Sequence, residues 1–96
     1  MKASPISAAT VALYRRYDGD ADGLSRSADR GVDIYDDWRA IDELRQRAFI
    51  VATGRGSEPF CQRFQSDLAA YMPDERARRE FDELVQADLK AASARA

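Results

Sequence analysis

A chain of 96 residues is long enough for one hydrophobic core and too short for two, so one domain is expected. Apolar residues make up 45% but come at intervals, and no stretch approaches the roughly 18 uninterrupted apolar residues of a membrane span. The net charge is −2 and there is no histidine, which removes the commonest general base, the usual activator of Ser or Cys nucleophiles and the most frequent transition-metal ligand. Carboxylate-only chemistry needs a pocket that shifts a carboxylate pKa, which a helical domain of this size rarely provides, so a non-enzyme is expected.

The N-terminus, Met1-Lys2-Ala3-Ser4-Pro5, leads into mixed Ala, Ser and Thr rather than the apolar run of a secretory signal, and a cytoplasmic protein is expected. Ser4 reads as an N-cap with Pro5 in the first turn. Ile6, Ala9, Leu13, Tyr14 and Tyr17 then recur at helical steps, predicting a helix near 5–17. Residues 18–33 hold three glycines and five aspartates and predict a structured loop, continuing to about 35, with a short helical turn at Leu24 to Asp29.

Asp36 and Asp37 offer an N-cap and a first-turn acid to a helix near 37–53, striped by Trp38, Ile41, Leu44, Ala48 and Val51 and closed by Gly54. The run Ala48-Phe49-Ile50-Val51-Ala52 also suits a short strand, but it continues the stripe in register and has no strand to pair with. Ser57-Glu58-Pro59 opens a helix over 58–71 with Phe60, Cys61, Phe64, Leu68 and Tyr71 on one face, stopped by Met72-Pro73. The single cysteine, Cys61, cannot form an internal disulfide, and between Phe60 and Phe64 it reads as a small apolar side chain rather than a nucleophile. Asp74 and Glu75 begin a last helix over 74–90, with Ala77, Phe81, Leu84, Val85 and Leu89 inward and an Ala-rich tail that frays. The expected fold is an all-α bundle of about four helices, with an Asp/Gly-rich loop between the first two.

Charge is unevenly placed. Residues 1–17 sum to +3, residues 18–43 to −6 with nine acids against three arginines, and residues 44–96 to +1. Such a segment steers basic partners and repels nucleic acid and anionic membranes. Helix capping and turn formation account for part of it. What they leave over is Asp20, Asp22 and Asp33 near the aromatic pair Tyr35 and Trp38. A partner-binding surface is therefore placed on Asp20, Asp22, Asp33, Tyr35 and Asp36, with Trp38 more at home in the core. Arg55 in Gly-Arg-Gly and the run Arg76, Arg78, Arg79 read as ordinary surface chemistry, because the first lacks the length and Lys of a phosphate loop and Arg79 has acids at four-residue spacing.

The same loop carries an alternative. Asp18, Asp20, Asp22 and Gly23 match the first half of an EF-hand calcium loop, and Asp29 falls at its twelfth position. Against calcium, position twelve is not the bidentate Glu, Ser25 stands where an apolar residue packs, Arg26 occupies the ninth position, and no second loop exists to pair with. No other cofactor is expected. A third expectation is a homodimer through an exposed aromatic stripe of Phe60, Phe64 and Tyr71.

Over roughly residues 11–71, several segments together resemble small proteobacterial proteins of uncharacterised function. They are Tyr14 to Tyr17, Gly19-Asp20-Ala21-Asp22-Gly23, Asp36-Asp37-Trp38, Ile41-Asp42-Glu43-Leu44, Gly54 and Ser57-Glu58-Pro59-Phe60. Some of those proteins are similar to the immunity proteins of polymorphic toxin and contact-dependent growth inhibition systems. The resemblance implies a cytoplasmic bacterial protein that binds a toxin domain, often a basic nuclease, and blocks its active site. Carboxylates suit that role because they mimic the phosphates a nuclease groove receives.

Overall fold

The computed structural model describes residues 5–20 and 34–95, with the side chains of Ile34 and Tyr35 outside that description. Among the described residues there are four helices and no strand: α1 Ala8–Tyr17, α2 Ile34–Ala52, α3 Glu58–Tyr71 and α4 Glu75–Arg95. They form an all-α bundle. The run 48–52 is helical, as the stripe it continues requires.

The ends differ from expectation where a stronger local partner is present. α1 starts at Ala8, not near residue 5, because Ser7 is the N-cap and its Oγ accepts from the Thr10 backbone N–H at 3.2 Å. Pro5 and Ile6 instead form a non-helical lead, pinned where the Ile6 N–H donates to the Tyr71 carbonyl at 2.7 Å. Ser4 lies outside the described residues. α2 begins at Ile34, so Asp36 and Asp37 stand in its first turn, where carboxylates meet the positive end of the helix dipole. Gly54 closes α2 at φ +75°, a left-handed geometry favoured by glycine, while Arg55 N–H returns to the Ile50 carbonyl at 3.1 Å.

α3 is capped by Ser57, whose Oγ accepts from Phe60 N–H at 3.3 Å, and it stops at Met72 ahead of Pro73. α4 opens with the Asp74 carboxylate accepting from Arg76 N–H at 3.0 Å. It runs to Arg95 rather than fraying at Lys90, since alanine is the best helix former and fills the last turns.

The inward stripes meet in one core. Trp38, Ile41, Leu44 and Ala48 of α2 face Phe81, Leu84 and Val85 of α4, with Val11 and Tyr14 of α1 and Phe64 and Leu68 of α3 closing the sides. Fully burying a side chain such as Phe81 stabilises the fold by roughly 1.5–3 kcal/mol. No polar or charged residue among those described is buried as a whole. Polar pairs at the edges fix how the helices sit: Arg15 of α1 pairs with Glu80 and, at 3.7 Å, with Glu83 of α4. Arg47 of α2 reaches Asp67 of α3 at 2.8 Å and lies over the rings of Phe60 and Phe64. No helix among the described residues is long and apolar enough to cross a membrane.

Candidate functional site

The densest polar arrangement lies where the C-terminal end of α1 crosses α2 and α4. Tyr14 is fully buried, its ring tilted 59° against that of Trp38 at 5.3 Å between centroids. Its hydroxyl donates to Asp42 Oδ1 and accepts from Arg45 Nη1 at 3.3 Å. Arg45 in turn grips Asp88 of α4 with two parallel bonds, Nε to Oδ2 at 2.8 Å and Nη2 to Oδ1 at 2.7 Å. The same Nη2 reaches Asp18 Oδ1 at 3.3 Å.

The backbone prepares these contacts. Asp18 caps α1 in the left-handed region at φ 49°, and Gly19 follows at φ +78° with its N–H on the Tyr14 carbonyl at 3.1 Å. A Cβ at Gly19 would stand 3.1 Å from the Tyr14 hydroxyl oxygen, a tight approach that, with the positive φ, favours glycine there.

Two ionisation equilibria respond. Burial, then the hydrogen bond to Asp42, pushes the Tyr14 phenol up to about 12. The fork to Asp88 raises the Arg45 guanidinium above its already high ordinary value. Both groups therefore keep their protons at neutral pH and act as fixed donors. Three carboxylates, Asp18, Asp42 and Asp88, are gathered by one phenol and one guanidinium.

Of the partner-binding residues expected from the sequence, Asp20 and Asp36 are exposed, at the end of α1 and the start of α2. Asp22, Asp33 and the Tyr35 side chain lie outside the described residues. Trp38 is a core residue, 3% exposed. Sequence reasoning missed Tyr14, Asp42, Arg45 and Asp88 as a unit. A faint signal was available: Arg45 and Asp88 each sit beside an inward stripe, next to Leu44 and Leu89, where a charged head needs a partner.

For calcium, Asp22 and Asp29 lie outside the described residues, and no group of three or more His, Cys, Asp or Glu able to hold a metal occurs among the described ones. Asp18 already faces Arg45, whose guanidinium opposes a cation at that carboxylate. The exposed aromatic stripe needs correction: Phe64 is 4% exposed and belongs to the core, while Phe60 and Tyr71 are half-buried. Phe64 points inward because it shares a helical face with Leu68, and Arg47 covers the adjoining rings. The Cys61 thiol is half-buried, its Sγ 3.8 Å from the Gly56 carbonyl oxygen.

Comparison of the chain with family models, with curated proteins and with solved structures finds no match.

Proposed function

We propose that this chain is a non-catalytic, cytoplasmic protein-binding module of the immunity type, whose acidic edge receives a basic partner such as a nuclease-type toxin domain. One observation carries it: Tyr14 and Arg45 hold Asp42 and Asp18 at one junction, fixing the C-terminal end of α1, where the acidic segment begins, against the middle of α2. Asp42 within that junction is exposed, as are Asp20, Asp36 and Glu43 of the same acidic segment. A rigid array of this sign favours encounter with cationic surfaces and disfavours nucleic acid. Asp20, Asp22, Asp33, Tyr35 and Asp36 are assigned to the contact surface.

The test is capture of the product of the neighbouring gene by the full chain, repeated with Asp20→Lys and Asp36→Lys together. Binding that weakens on charge reversal and falls with salt supports the proposal. A neighbour that is no toxin, together with interactions untouched by charge reversal, overturns it. Calcium is the competing occupant of the same segment. A calcium titration followed through Trp38 fluorescence and thermal unfolding decides it, since a ligand at 100 times its Kd adds about 2.7 kcal/mol. With Arg45 on Asp18, no shift at millimolar calcium is expected.

A further inference from the structure

A groove of 610 Å³ lies between the C-terminal halves of α2 and α4, and among the described residues only these two helices line it. Half-buried Phe49 and Ile50 form one wall, and Asp88, Ala91, Ala92 and Arg95 form the other. The four α4 residues share one helical face, and that face prolongs the inward stripe of Ala77, Phe81, Leu84 and Val85 beyond the core. Ala91 and Arg95 are exposed there. With alanines at its centre, the face lets the axis of another helix come close, because no long side chain stands between the two backbones.

The charges select which helix that is. One acid and one base, Asp88 and Arg95, flank the alanines on the same face, two helical turns apart. The Asp88 side chain is still 22% exposed, and after its fork to Arg45 each carboxylate oxygen keeps a lone pair for a further donor. If a second α4 lies antiparallel about a two-fold axis between Ala91 and Ala92, position 91 of one copy meets position 92 of the other. Position 88 then meets position 95. Symmetry makes each such contact twice, so both Arg95 guanidinium groups face an Asp88 carboxylate. A parallel pairing would set Arg95 against Arg95 and Asp88 against Asp88, which like-charge repulsion disfavours. The face is therefore complementary to itself in one orientation.

We propose that the groove is filled by a second copy of this chain, the two α4 helices packing antiparallel with Ala91 on Ala92 and Arg95 on Asp88, and with Phe49 and Ile50 of each copy covering the α4 of the other. The test is sedimentation equilibrium of the full chain. From about 10 µM to 1 mM the mass should rise from monomer toward dimer, the range that suits a contact of limited size. Arg95→Glu turns two ion pairs into two repulsions and should weaken the dimer at least about tenfold. Ala91→Gln, at an exposed position where glutamine is a good helix former, should abolish it by forcing the helices apart. In the unaltered protein, dilution should move the methyl resonances of Ile50, Ala91 and Ala92 and leave those of Ala69 and Ala70, exposed on α3, in place, a readout that does not depend on any variant folding. A monomer at every concentration, dilution shifts on α3 or the acidic edge instead of the groove, or a dimer indifferent to Arg95→Glu would each overturn the proposal.

Discussion

Tyr14 of α1 donates its phenolic hydrogen to Asp42 of α2 across a separation of 28 residues. The bond gives a fully buried tyrosine the carboxylate of an exposed residue, so the hydroxyl keeps a polar partner while the ring packs on Trp38. Tyr14→Phe keeps the packing and removes the bond. It should destabilise the fold by about 1–2 kcal/mol in urea unfolding, and Asp42 can rehydrate, which limits the loss. The substitution should also weaken capture of a basic partner, because Asp42 is no longer held beside Asp18.

The raised Tyr14 pKa makes a prediction with a definite sign. In the unfolded chain the phenol ionises near 10, and in the folded protein near 12. The folded state therefore holds a proton that the unfolded state releases. The stabilisation is complete below pH 10 and is lost as pH rises through 12. Phenolate absorbance should show one of the four tyrosines ionising last, together with unfolding, and Tyr14→Phe should remove that component. Ionisation of all four as exposed phenols, with no late component, would contradict the buried assignment.

Arg45 joins α1, α2 and α4 through Tyr14, Asp18 and Asp88. Arg45→Met should cost about 2–3 kcal/mol in chemical unfolding, because it leaves Asp88, only 22% exposed, without its fork. Arg45→Met combined with Asp88→Leu should recover part of this, since no uncompensated charge remains. A double variant less stable than the sum of its two single substitutions would refute the pairing.

Gly19 and Gly54 separate conformation from contact. Both have positive φ, but a Cβ at Gly54 meets nothing within 4 Å, whereas one at Gly19 meets Tyr14. Gly54→Ala should cost about 1 kcal/mol from backbone strain alone. Gly19→Ala should cost more, about 2 kcal/mol, and the excess should shrink in a Tyr14→Phe background, where the contacting oxygen is absent.

The helices were legible in the chain because their signals are local. Trp38, Ile41, Leu44 and Ala48 mark a buried stripe by spacing alone, Ser57 and Pro59 mark a helix start, and Gly54 marks a stop. The start of α1 was misplaced because Ser4 before Pro5 imitates a cap as well as Ser7 does. The bond from Ile6 to the Tyr71 carbonyl and the burial of the Ile6 side chain, both contacts with distant helices, hold the lead out of the helix. The aromatic face of α3 was misread for a related reason: spacing shows that Phe60, Phe64 and Tyr71 share a side, but not which of them the neighbouring helices cover.

The sequence by itself determined the all-α class, most helix bounds, the lack of histidine chemistry and the crowding of acids between Asp18 and Glu43. Each depends on composition or on residues a few positions apart. The tertiary structure alone decided which charges share a place. Asp42 and Arg45 are neighbours by their three-residue spacing on α2, but nothing in the sequence links them to Asp18 at the end of α1 or to Asp88 of α4. They meet because α1 crosses α2 and α4 at Tyr14, whose burial without a polar partner would be too costly. That requirement gathers three carboxylates around one phenol and one guanidinium.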